Sequence, residues 1–94
     1  MNLSEGEPRK TIAVCNHYVV TVTSETVVAD NETVRVYGLQ FSDRTGVFEQ
    51  FPDITCRADK IRELFTYFRR YDVDRGQILD VVEDFIDALH FFAV

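Results

Sequence analysis

Apolar and polar residues alternate with a period of two over the first half of this chain. In HYVVTVTSETVV, Tyr18, Val20 and Val22 fall on one side, and Val19, Thr21 and Thr23 fall on the other. The whole run from Thr11 to Val28 is rich in Val, Thr, Ile and Tyr, which is strand composition. Asn16-His17 breaks it, so a short extra strand over Thr11 to Cys15 is expected. Asp30-Asn31 tolerates turn conformations and predicts a hairpin. In TVRVYGLQFS, Thr33 to Ser42, Tyr37, Leu39 and Phe41 share one face, and Val34, Val36, Gly38 and Gln40 share the other. Gly38 inside this strand marks a bulge or a close backbone approach. Asp43 to Gly46 is a second turn, and Val47 to Phe51 a third strand that Pro52 is expected to end.

After Cys56 the period becomes helical. Residues 57 to 71 put Ile61, Leu64, Phe65 and Phe68 on one face, with the cap at Thr55 or Cys56. Asp74 is a good N-cap for a second helix running to Phe92, with Gln77 placed to close a capping box. Val73 and Ile78 occupy the positions of a hydrophobic staple. Ile78, Val82, Phe85, Ile86 and Leu89 form that helix's apolar face, and Asp80, Glu83, Asp84 and Asp87 its acidic one. The link between the helices is too short for anything but a hairpin of neighbours.

Strands first and helices after predict an α+β domain. The architecture expected is an antiparallel β-meander of three to four strands, followed by a C-terminal helical hairpin packed on one sheet face. Residues 1 to 10, with Gly6, Pro8 and several charges, are expected to form a flexible tail, and residues 11 to 94 a single domain.

Charge narrows the partners. The formal charge is −6, which opposes a phosphate backbone or an anionic membrane surface. The first helix is locally basic, with Arg57, Lys60, Arg62, Arg69 and Arg70. Complementarity to the acidic second helix accounts for it better than nucleic acid does. No apolar run reaches the ~18 residues of a membrane span, and the N-terminal residues lack a signal-peptide core. Cys15 and Cys56 are then expected as reduced thiols in a cytoplasm, with a disulfide between them as the alternative.

Candidate chemistry is sparse. Cys15 and His17, at i and i+2, share a strand face and could form a nucleophile pair or part of a zinc site, but further ligands are missing. A buried cysteine and a surface histidine are the plainer reading. The acidic row could hold a cation, but it reads first as a solvated helix face. His90 suits a helix C-terminus. No phosphate loop or other catalytic motif is present. We therefore expect no enzymatic activity, no cofactor and no metal.

The strand containing Tyr37-Gly38-Leu39, the Ile54-Thr55 entry to a charged helix, and the closing Leu79 to Ile86, LDVVEDFI, carry a resemblance. Over residues 17 to 90 the chain resembles a family of short bacterial proteins classed as a domain of unknown function. Val82-Glu83-Asp84-Phe85 is its most telling piece. The resemblance implies a fold and transfers no site.

One strand feature does point to function. Two helices cover one face of a small sheet, and the other face of an antiparallel sheet is normally polar. Here Val34 and Val36, with Val19, make that second face apolar too. We expect a protein-interaction module that self-associates, with Val19, Val34, Val36, Phe91 and Phe92 as its interaction face. The alternative is a small-molecule or ion-binding domain, with a pocket between sheet and helix pair near Tyr37, Phe41 and Tyr67.

Overall fold

A computed structural model describes residues 12–14 and 17–92. The tail expected over residues 1 to 10, and Cys15, lie outside them. Four strands, β1 (Ile12–Val14), β2 (Val19–Ala29), β3 (Glu32–Asp43) and β4 (Gly46–Thr55), precede α1 (Ala58–Arg70) and α2 (Ile78–Phe92). The strands form one antiparallel sheet in the order β1-β2-β3-β4.

Each connection has a local cause. Asp30 and Asn31 both take positive φ, 53° and 65°, as a two-residue hairpin requires. At the β3–β4 turn the Asp43 carboxylate accepts from the Thr45 amide at 2.8 Å and from the Thr45 hydroxyl at 2.6 Å. Gly46 follows at φ 124°, a conformation that favours glycine.

The expected end of the third strand at Pro52 is overturned, because β4 runs on to Thr55. β4 is an edge strand, so a residue without an N–H is tolerated there. The ladder is also irregular at this point. Tyr37 pairs with Thr55 and Leu39 with Phe51, so Gly38 alone faces Pro52, Asp53 and Ile54. A Cβ on Gly38 would lie 1.9 Å from the Phe51 carbonyl oxygen. The glycine is there because β4's backbone crosses it.

Tyr18, Val20 and Val22 of the β2 segment and Tyr37, Leu39 and Phe41 of β3 point to the same side, where they form the core with Ile61, Leu64, Phe65 and Phe68 of α1. Fully burying one such side chain contributes roughly 1.5–3 kcal/mol. Phe41 is the hub of the aromatic packing. Its ring meets Tyr18, Phe51 and Phe68 edge to face, with centroids 5.8, 6.1 and 5.0 Å away.

The first helix begins one residue later than expected. Its N-cap is Arg57, which makes no side-chain capping bond, while the Thr55 hydroxyl accepts from the Arg57 amide at 3.1 Å. Asp74 caps a 3₁₀ turn, Arg75–Gln77, ahead of α2, its carboxylate accepting from the Gly76 amide at 3.4 Å. Gln77 joins through its main-chain amide to the Asp74 carbonyl at 2.8 Å, in place of the side-chain capping box. Val73 and Ile78, the predicted staple pair, are both buried.

Candidate functional site

Two surfaces stand out among the described residues. The first is the sheet face turned away from the helices. Strand register puts Val19, Ser42 and Val47 in one row across this face, and Ile12, Thr21, Gln40 and Gln50 in the next. At the next pair, Thr23 and Gly38, the face is closed by β4, whose backbone at Phe51 and Pro52 crosses Gly38. None of the residues named in the first two rows is charged, although 28% of the chain is. Ile12 and Val47 are 54% and 51% exposed there. Ser42, Thr21, Gln40 and Gln50 make these rows polar, as an antiparallel face that meets water is, but without charge.

Beyond these rows β1 and β4 no longer flank the central pair. β1 pairs no further than Thr21 and β4 no further than Tyr37. The rest of β2 and β3 is a two-stranded ribbon ending at Asp30-Asn31. Glu25 opposite Val36 and Val27 opposite Val34 extend the face along it.

The predicted interaction residues divide on this scaffold. Val19 and Val34 lie on the outer face and are half-buried. Val36 is on the same face but only 6% exposed, so it is already packed within the protomer. Phe91 and Phe92 close α2, and their side chains are outside the described set.

The second surface lies between the helices. Ile78 and Val82, early in α2, are buried, whereas Phe85, Ile86 and Leu89 are half-buried. The hairpin is closed at its link and open at its free end. A cleft of about 560 Å³ occupies the open end, where Ile54 of β4, Lys60 of α1 and Phe85 and Leu89 of α2 meet. Cys56, Arg57, Glu63 and His90 complete its wall. A groove of about 390 Å³ continues along the helix seam past Leu64, Tyr67, Val81 and Asp84. The pocket expected near Tyr37 and Phe41 is displaced to these clefts. Both residues are sealed in the core, and only Tyr67 of that trio lines a groove.

The electrostatics of the fold concentrate at the helix link. The Arg75 guanidinium reaches the Asp43 carboxylate at 2.5 Å and lies 3.6 Å above the centre of the Phe48 ring. The Thr45 hydroxyl and then Arg75 donate to Asp43, which lowers its carboxyl from 3.8 to about 2. Sequence reading missed this pair, since no periodicity connects residues 32 positions apart.

The remaining chemistry is dispersed. His17 and His90 are exposed, and Cys56 is a free, exposed thiol. Asp80, Glu83, Asp84 and Asp87 are all exposed along α2. Among the described residues no group of three or more His, Cys, Asp or Glu is placed to hold a metal ion. No described helix is long and apolar enough to cross a membrane. Comparison of the chain with protein-family models, with curated proteins and with solved structures gave no match.

Proposed function

We propose that this protein is a non-enzymatic interaction module that pairs with a second copy of itself through the outer sheet face. The observation that carries the reading is the absence of charge from the two rows Val19–Val47 and Ile12–Gln50, on the face opposite the helices. Two acidic chains repel, and an uncharged patch is the surface on which they can still meet. At ~4.8 Å between strands and ~6.8 Å between successive outward residues, the face and ribbon offer roughly 400 Å². Two such faces bury roughly 800 Å², below the ~1,200 Å² of standard interfaces, so the pairing is a weak one that forms at high concentration. A free thiol at Cys56 agrees with a reducing compartment, and we place the protein in the cytoplasm.

Light scattering coupled to gel filtration tests this. The unaltered chain should run at twice its own mass at high concentration. The variant Thr21→Arg with Val34→Arg puts cations on the centre of the face and on the ribbon, at positions that are only half-buried. It should run as a monomer with an unchanged circular dichroism spectrum. A monomeric parent at every concentration would overturn the reading.

A further inference from the structure

The cleft at the open end of the helix hairpin serves no part of the pairing just described, and its chemistry points elsewhere. Its floor is apolar, made by Ile54, Phe85 and Leu89, with Ala88 beside them. Its α1 rim carries Arg57 and Lys60, on a chain whose net charge is −6. The start of α1 adds the positive end of a helix dipole, which it shares with Asp59 in the first turn. A volume of about 560 Å³ is within the ~300–1,000 Å³ usual for small-molecule sites.

We propose that this cleft binds a small amphipathic carboxylate, its apolar body between α2 and Ile54 and its carboxylate at Arg57 and Lys60. Both cations have a carboxylate neighbour in the free protein, which the ligand's carboxylate must displace or share. Arg57 donates to both Asp59 carboxylate oxygens, at 3.2 and 3.0 Å, and Lys60 lies 3.5 Å from Glu63. The Lys60–Glu63 contact is long and single, so Lys60 is the cation more easily turned to a new anion, while Arg57 can share its guanidinium between Asp59 and the ligand. Glu63 on the same wall disfavours a dianion. The half-buried faces of Phe85 and Leu89 gain burial when the body of the ligand enters.

The probes are octanoate, decanoate, decanol and decyltrimethylammonium, each as free monomer, titrated into the full chain by calorimetry and amide NMR. Decanoate should bind saturably, with shifts confined to Ile54–Lys60 and Phe85–His90. Its affinity should exceed octanoate's by about fourfold for each added methylene, the ratio that corresponds to ~0.8 kcal/mol per buried CH₂. It should also exceed that of decanol, with decyltrimethylammonium weakest. Bound decanoate should slow alkylation of Cys56, read by mass spectrometry.

The double variant Arg57→Glu with Lys60→Glu alters an exposed and a half-buried side chain and should stay folded. It should lose about tenfold in decanoate affinity and keep its affinity for decanol, since only the carboxylate contact is removed. Equal affinity for decanoate and decanol overturns the proposal, and so does a double variant that binds decanoate as well as the parent. Binding to anionic lipid vesicles without binding to monomeric decanoate also overturns it, by making the site a membrane contact.

Discussion

The hydroxyl of Tyr18 donates to the main-chain carbonyl of Val73 at 2.5 Å, in the interior, across 55 residues of sequence. It joins the start of β2 to the link between the helices. The same ring packs edge to face on Phe41 and on Phe48. In Tyr18→Phe the ring stays and the donor goes, which leaves a buried carbonyl unsatisfied. The expected cost is about 1–3 kcal/mol, read as a lower urea midpoint with an unchanged slope. An unchanged midpoint would mean that water replaces the bond.

Asp43 gives the stability a defined acid limb. Its carboxyl lies at about 2 in the folded chain against 3.8 for a free aspartate side chain, because Thr45 and Arg75 donate to it. A group whose pKa falls on folding stabilises above its unfolded value and loses that contribution as pH drops through the folded one. The difference in urea midpoint between the parent and Asp43→Asn should therefore be constant above about pH 5 and shrink between about pH 4 and pH 2. Parallel curves across that window would remove Asp43 from the account.

Gly38 tests the crossing of β4. A methyl group there would sit 1.9 Å from the Phe51 carbonyl oxygen and 2.7 Å from the Pro52 backbone, so the backbone itself must shift. Gly38→Ala should cost about 3 kcal/mol or more, seen as a fall in melting temperature and increased amide exchange in β4. A variant as stable as the parent would show that β4 leaves the sheet before Pro52.

Two leucines separate packing from exposure. Leu39 is fully buried and Leu79 is 48% exposed. Leu39→Ala should lose about 2–5 kcal/mol through lost transfer energy and the cavity left behind. Leu79→Ala should change stability by no more than about 0.5 kcal/mol. Comparable losses at both sites would mean that Leu79 is covered in solution, as a helix-side interface would cover it.

Much of the fold was legible because it rests on local periodicity. The alternation of Tyr18, Val20 and Val22 and of Tyr37, Leu39 and Phe41 assigned both strands and their inward faces. The 3.6-residue spacing of Ile61, Leu64, Phe65 and Phe68 did the same for α1. Asp30-Asn31 announced its hairpin, and Gly38 the close approach of a backbone. The outer face was legible in part. Val19 and Val34 are placed on it as expected, but only the register showed that its central rows hold no charge.

What the chain determined alone is the identity, order and inner faces of its elements, since side-chain direction in a strand or helix follows from the backbone period of that element. What tertiary structure decided depends on pairs distant in sequence. Pro52 survives inside β4 because that strand is an edge, a fact set by its neighbour β3. Tyr18 meets Val73, and Asp43 meets Arg75, only after the helices fold back on the sheet. The cleft between Ile54 and Leu89 is likewise the space left where α2 outruns the core. No local pattern encodes it, because a void belongs to the packing of several elements and to none of them singly.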